Sequence, residues 1–416
     1  MNYGLTCGII AASVAGMILR PWGVKEVYPA IAGALVLVLS GLLPAGIALR
    51  GVGQGADVYL FLAGMMILAE LAADQGLFAW AAGIVARRAG GSALRLFAMI
   101  YFMAVLVTVF LSNDATAVVF TPAVAAMARA VKAQEKLPFL LICAFVANAA
   151  SFVLPISNPA NLVIYGAAMP PLAQWLPRYG LASVCAIAAT YLLLWFTQRR
   201  ALRQEIHVPE ARLGLSAGGR RAGYGIIGTA VSLMAASAAG VSLGLPTFLA
   251  GLATAGLVLI PARQAPWRML KGISWSILPL VAALFVMVSA LDHAGTAQAL
   301  AGFLRREAGS APSGTAWGMG IGLGVIANLV NNLPAGLLAG HALAAAPVAP
   351  QIASAALIGV DLGPNLSVTG SLATILWLTV LQREGENMTA WRFLRLGAVI
   401  MPPALLLALC GLMVSW

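Results

Sequence analysis

Charge is what this chain has least of: 9% of its 416 residues are Asp, Glu, Lys or Arg, against about a quarter in a soluble domain. A globule folding in water is thereby excluded, and the 61% hydrophobic content points to a polytopic membrane protein. Cysteine and histidine are nearly as scarce. Cys7, Cys143, Cys185 and Cys410 stand far apart inside apolar runs, without CxxC spacing, which leaves neither a disulfide framework nor a zinc site. His207 falls in a basic segment and His293 and His341 lie near span ends, none with the spacing of a metal site or of a nucleophile's base. No GxxxxGK[ST] occurs, so no nucleotide site and no cofactor is read here. The run Gly318, Gly320, Gly322, Gly324 reads as small-residue helix contact inside a hairpin. The excess of 24 basic over 13 acidic residues does not mark a nucleic-acid binder, because the basic residues sit in short loops between apolar runs, where membrane topology puts them.

What remains is hydrophobic. Apolar runs at 4–19, 27–45, 57–73, 138–169, 177–197, 222–243, 246–261, 273–291, 349–382 and 393–415 predict about ten transmembrane spans at roughly 20 residues each. The first, Leu5 to Leu19, lacks the basic flank and cleavage site of a signal peptide and is read as a retained helix. Two further segments, 96–128 and 315–346, are about twice the length of a half-membrane helix. Both carry polar centres, Ser112-Asn113-Asp114 and Asn331-Asn332-Leu333-Pro334. They are expected to be re-entrant hairpins, with one long tilted span or two spans and a tight turn as alternatives. The runs 138–169 and 349–382 are expected to be broken helices, interrupted by NAASFVLPISNPAN (148–161) and by the polar part of GVDLGPNLSVTGSLATILW (359–377). Unpaired backbone in lipid costs several kcal/mol per group, so such breaks are tolerated only where protein covers them or a polar cavity receives them.

The chain repeats itself. Gly76, Gly83, Arg87 and Gly90 recur at one constant offset as Gly295, Gly302, Arg306 and Gly309, and the same offset lays Asn113 on Asn332. After a short deletion, Asn148–Leu162 faces Val360–Thr374. The expected organisation is therefore a first repeat over 1–197, a basic cytoplasmic linker over 198–221 and a second repeat over 222–416. With the linker inside, all of the 24 Lys and Arg except Arg50, Arg178, Arg305 and Arg306 fall on the cytoplasmic side, as the positive-inside rule demands. Five spans per repeat then invert the second relative to the first, with one hairpin entering from each face.

By that pseudo-symmetry four polar breaks converge. They supply Ser112, Asn113, Thr116, Asn148, Ser157, Asn158, Asn161, Asn331, Asn332, Asn365, Thr369, Gly370 and Ser371 as candidate substrate ligands. Any one Asn or Thr is as well explained by an interhelical hydrogen bond; four repeat-related clusters are not. Asp114 and Asp361 are the carboxylates inside the breaks, with no Lys or Arg beside them in any break. An ionised aspartate at that depth costs about 2.5 to 3.5 kcal/mol, so such a group is paired, protonated or working. Proton coupling is the expected role, the two facing one cavity from opposite sides. Glu70 and Asp74, one helical turn apart, are candidates for a proton path or for interfacial placement.

The strings 359–377, SNDATAVVFTPAV at 112–124 and SNPANLV at 157–163 closely resemble the arsenite efflux permeases (ArsB) of the ion transporter superfamily, which also holds sodium/proton antiporters and dicarboxylate symporters. The similarity runs the length of the chain. It implies a multi-pass protein of the bacterial inner membrane that exports trivalent arsenic or antimony hydroxide, As(III) or Sb(III), in exchange for protons. It also implies a scaffold with a moving transport domain and, in some members, a soluble arsenical pump ATPase partner. A ring of amides and hydroxyls without fixed positive charge suits an uncharged trihydroxide. A sodium/proton antiporter would use the same aspartates and remains an alternative. An intramembrane enzyme would need a nucleophile with its base, or metal ligands, which the breaks do not offer.

Overall fold

A computed structural model describing residues 3–20, 23–209 and 214–416 is helical throughout. Strand pairing among the described residues is one isolated bridge, Ser92 to Glu205. Six helices are long and apolar enough to cross a bilayer: Ala56–Asp74, Ala93–Phe110, Leu172–Gln198, Gly244–Ala262, Pro312–Val330 and Ala390–Val414. Ile277–His293 and Thr296–Ser310, bent by 69° at their junction, together make a seventh.

This differs from about ten uniform spans in two ways. Tyr3–Leu19 and Val27–Leu39 stop at 17 and 13 residues, short of the roughly 20 that a 30 Å hydrocarbon core asks of a straight helix. The hairpins, expected to have two half-length limbs, are lopsided. Their first limbs, Ala93–Phe110 and Pro312–Val330, have full crossing length, and only the second limbs are short: Ala115–Phe120 continued by Thr121–Ala130, and Asn332–Ala345. Each second limb packs against its own first limb. The broken helices are as expected, Leu137–Ala149 with Pro159–Tyr165 and Pro350–Leu362 with Leu372–Arg383.

Local chemistry sets these boundaries. Proline stands in the first turn of Leu137–Ala149, Pro159–Tyr165, Pro312–Val330 and Pro350–Leu362, where its missing N–H is an orphan donor in any case. Gly76 and Gly295, matched in the repeat, both precede a helix with left-handed φ of 76° and 91°, a conformation that disfavours a Cβ. The halves also exchange contacts. Ala56–Asp74 packs on Gly244–Ala262, as Ile277–His293 packs on Val27–Leu39, and the two terminal helices Leu172–Gln198 and Ala390–Val414 pack on each other. Equivalent helices begin at opposite ends of Ala390–Val414: Leu137 and Leu141 share a groove with Arg392 and Arg395, whereas Gln351 donates to the Met413 sulfur (3.1 Å).

Two expectations are corrected here. The linker is shorter than 198–221, since the next helix already starts at Ala217; residues 210–213, including Arg212, lie outside the described residues. What is described of it is not loose. His207 N–H donates to the Val131 carbonyl (2.8 Å), Ile206 N–H to Gly91 (3.2 Å), and Gln204 Oε1 accepts from the backbone of Gln134 and Glu135. It therefore straps the open end of the first hairpin. The glycines of the second hairpin pack across to another helix instead of within the hairpin: Gly320 and Gly324 lie against Gly359 and Gly363 of the broken helix, so close that a Cβ on Gly359 would sit 2.2 Å from the Gly320 carbonyl oxygen. Gly318 and Gly322 line an apolar cavity.

Candidate functional site

The two broken helices meet at their breaks. Asp361, in the last turn of Pro350–Leu362, is fully buried. Its Oδ1 accepts from Asn158 Nδ2 (2.8 Å) and its Oδ2 lies 2.8 Å from Ser151 Oγ. Asn158 is fixed in turn because its Oδ1 accepts the N–H of Ala160 and so caps Pro159–Tyr165. Ser371 does the same for Leu372–Arg383 through the N–H of Ala373. Asn148 Nδ2 donates to Asn365 Oδ1 (3.0 Å) and faces Thr374 Oγ1 (3.4 Å), while Asn365 Nδ2 donates to the Phe145 carbonyl. Asn161 Nδ2 gathers the carbonyls of Ser151, Leu154 and Pro155. A buried loop carries carbonyls that water cannot reach, and Asn161 is what satisfies them, as Asn365 does for the helix-end carbonyl of Phe145.

Ser151 has one hydroxyl proton and two acceptors at 2.8 Å, Asp361 Oδ2 and the Asn148 carbonyl. It can serve both only through a shared, weaker bond. A proton on Asp361 Oδ2 resolves the conflict: Asp361 donates to Ser151 Oγ, and Ser151 donates onward to Asn148.

Each break is also pinned to its own hairpin, in repeat-related fashion. Ser157 Oγ donates to the Val109 carbonyl (3.1 Å), and Thr369 Oγ1 donates to the Asn328 carbonyl (2.9 Å). The offsets found in the sequence lay Val109 on Asn328 and Ser157 on Thr369. In the second half the tie is richer: Ser367 Oγ donates to Asn328 Oδ1, Asn328 Nδ2 to the Gly363 carbonyl, and Asn331 Nδ2 to the Thr369 carbonyl. Gly370 is tightly packed, a Cβ there lying 2.6 Å from Asn328 Oδ1. Asn331 adopts φ 74°, ψ 152°, strained for a residue with a Cβ, and its side chain accepts the N–H of Leu333.

The first hairpin tip is built differently. Ser112 Oγ accepts the N–H of Ala115, Thr116 shares a 2.7 Å hydrogen bond with Thr108, and the chain leaves the tip as a π-helix over Ala115–Phe120, a form that recurs at functional sites. Asn113 Oδ1 accepts the N–H of Asp114. Among the described residues Asn113 Nδ2 and the side chain of Asn332 make no hydrogen bond, though both residues are buried. Asp114 lines a cavity of about 50 Å³ together with Glu70, Ser112 and Pro159, with no Lys or Arg in its wall.

Two expectations about carboxylates change. Asp114 and Asp361 do not face one cavity: Asp361 is sealed between the breaks, and the carboxylate that lines the Asp114 cavity is Glu70 on Ala56–Asp74. Asp74 is not part of that cavity. On the same face of the helix but one turn further, at its end, it lies 3.2 Å from Arg268 and 3.1 Å from Gln75. Asn328, Thr108 and Thr374 belong to the site and were not singled out from the sequence. Asn328, three residues before Asn331 in an otherwise apolar run, was the available signal. Among the described residues no three His, Cys, Asp or Glu side chains cluster as for a metal, and Cys143, buried on Leu137–Ala149, bonds to no other cysteine.

Known proteins are similar over nearly the whole chain. An arsenical pump membrane protein of Escherichia coli is 26% identical, covering 98% of each chain. A putative arsenical pump membrane protein of Bacillus subtilis is also 26% identical, over 95% of this chain and 96% of its own. Among solved structures, the YdaH transporter of Alcanivorax borkumensis superposes with a TM-score of 0.55 over 88% of this chain and 86% of its own, at 15% identity. That likeness is one of fold. The family model described as citrate transporter matches residues 14–360, a span that includes both hairpins and the first broken helix. The chain belongs to this CitMHS family, and is a multi-pass membrane transporter.

Proposed function

We propose that this transporter exports the uncharged hydroxide of trivalent arsenic, and of antimony, from the cytoplasm of a bacterium across its inner membrane in exchange for inward protons. The observation that carries the reading is the composition of the convergent breaks: amides, hydroxyls and a protonatable Asp361, with no Lys or Arg bonded into the network or lining the Asp114 cavity. A citrate-like anion calls for fixed positive charge. A neutral trihydroxide calls for donors and acceptors, and Asn113 through its Nδ2 and Asn332, repeat-related at the two hairpin tips, are the best placed to supply them. Most of the other candidates have a different task. Asn161 and Asn365 hold backbone carbonyls at the breaks, Asn148 holds Asn365, and Ser157, Thr369 and Ser371 tie and cap the breaks.

The carboxylates carry the proton. A proton on Asp361 suits this packing of the breaks, and losing it leaves Ser151 facing two acceptors, which disfavours the packing. Asp114 and Glu70 are the second station, a hairpin-tip carboxylate opposite one on a long helix. Two inverted repeats, 1–197 and 222–416, supply alternate access, a reading supported by the equivalent helices that start at opposite ends of Ala390–Val414 and by the matched Ser157 and Thr369 ties.

The test is uptake of arsenite into everted vesicles under an imposed pH gradient, acid inside. Accumulation that collapses with the gradient is expected. Uptake of citrate instead would overturn the substrate, and sodium flux driven by the pH gradient without arsenite would establish the antiporter alternative. A soluble ATPase partner is testable by the same assay with and without ATP.

A further inference from the structure

Away from the breaks, a groove of about 760 Å³ opens between the start of Ala390–Val414, the end of Leu172–Gln198 and the start of Leu137–Ala149. Leu137, Leu141 and Val399 give it an apolar side, and Gln198 with two arginines a polar one at its mouth. Arg392 and Arg395, three residues apart, share one face of the helix; both are exposed and neither makes an ion pair among the described residues. The neighbouring carboxylates are already engaged, Glu384 by Arg129 and Glu386 by Lys136. Trp391, 66% exposed, flanks the mouth, and indole rings gather at the headgroup level of a bilayer.

We propose that this groove binds an anionic phospholipid from the leaflet on the face that carries the linker. Arg392 and Arg395 hold its phosphate, Trp391 packs beside the glycerol, and an acyl chain lies along Leu137, Leu141 and Val399. Paired guanidinium groups recognise phosphate oxygens in a planar, bidentate manner, and basic pockets between membrane helices take acidic headgroups. A free phosphate would use the arginines and leave the apolar wall wet, so the wall points to a lipid. The site has a lever on transport. Leu137 and Leu141 belong to the helix whose last turn carries Asn148, the partner of Asn365, so an occupying lipid touches one broken helix and both terminal helices at once.

The experiment is native mass spectrometry of the full chain titrated with phosphatidylglycerol or phosphatidylcholine. Phosphatidylglycerol adducts are expected on the wild type, with apparent affinity falling about thirtyfold in the double variant Arg392→Gln, Arg395→Gln, the effect of two interfacial arginines. Phosphatidylcholine binding should not change, nor should the variant Arg305→Gln, Arg306→Gln, which alters exposed arginines elsewhere. Should the double variant not assemble, Val399→Trp, which fills the groove from an exposed position, is expected to weaken the same adducts. Wild-type adducts in both groove variants, equal loss in the Arg305 and Arg306 variant, or displacement of the lipid by inorganic phosphate would each overturn the proposal.

Discussion

Replacing Asp361 by Asn separates the structural task of this carboxyl from its proposed work. In the structure Oδ1 accepts from Asn158 and Oδ2 meets a Ser151 hydroxyl whose own proton has a second acceptor in Asn148. An asparagine reproduces the protonated acid in both respects, its oxygen accepting from Asn158 and its NH2 donating to Ser151, so Asp361→Asn is expected to fold with a melting temperature near wild type. Asp361→Ala leaves Asn158 Nδ2 without its acceptor and empties the space beside Ser151, at about 1 to 3 kcal/mol for each orphaned buried group. Transport should divide the two differently. One proton exchanged per arsenite across one pH unit is worth about 1.4 kcal/mol, which supports roughly tenfold accumulation. Asp361→Asn cannot release its proton, so everted vesicles should equilibrate arsenite without concentrating it, and counterflow of labelled arsenite should persist. Tenfold accumulation by the folded Asn variant would refute the reasoning and move the coupling to the Asp114 cavity.

Glu70→Gln and Asp114→Asn remove charges that share one small cavity, so the double variant should shift the pH dependence of uptake no further than the stronger single variant; additive shifts would show that they act separately. Asn113→Ala and Asn332→Ala are expected to raise the KM for arsenite by up to about a hundredfold, from one lost hydrogen-bonded group, with little change in thermal stability. Asn365→Ala, which strips Asn148 and the Phe145 carbonyl of their partner, should lower stability by about 1 to 3 kcal/mol, and an unchanged melting temperature would contradict the network. Gly363→Val sets a Cβ 2.4 Å from the Gly324 backbone, and overpacking of this kind costs about 1 to 3 kcal/mol or more; a normal melting temperature and expression level would show that the two helices separate freely. A variant without its four cysteines is expected to keep arsenite transport, and its loss in a folded protein would argue for thiolate ligation.

The breaks were legible because backbone chemistry leaves marks in sequence. Proline, glycine and short polar side chains in a long apolar run have few explanations in lipid, and the offset that matches Gly76 to Gly295 runs on to Asn113 and Asn332. Span lengths were not legible: hydropathy does not register that Val27–Leu39 ends at a turn at Ser40 and Gly41, nor that the first limb of a hairpin runs the full crossing length. Partners were not legible either. Glu70 and Asp74 differ by one helical turn and look alike in sequence, yet one faces Asp114 and the other Arg268, a distinction set by Gly272 and its neighbours, which come close enough to Glu70 that a Cβ on Gly272 would sit 1.9 Å from Oε1.

The repeat is most informative where it fails. Hydrogen-bonding groups come in matched pairs, Asn113 with Asn332 and Ser157 with Thr369, but the offset lays Asp114 on Leu333 and Glu70 on Ser289, and Asp361 on Ala149. In the second-half cavity that answers to the Asp114 cavity, Leu280 and Leu284 stand where Phe61 and Met65 stand and Leu333 lines it at the place of Asp114; the carboxylate that does line it, Glu26, comes from the start of Val27–Leu39, is paired with Arg20, and falls on Leu245 by the same offset. A neutral substrate gains from symmetry, since it must be held equally well from either side. A coupling proton does not, because exchange in a fixed ratio requires that it cannot cross independently. Placing every site carboxylate without a repeat mate, Asp361 in the second half and Glu70 with Asp114 in the first, would give the two proposed cargoes different symmetries within one scaffold, and that difference is what the neutral-amide variants are designed to expose.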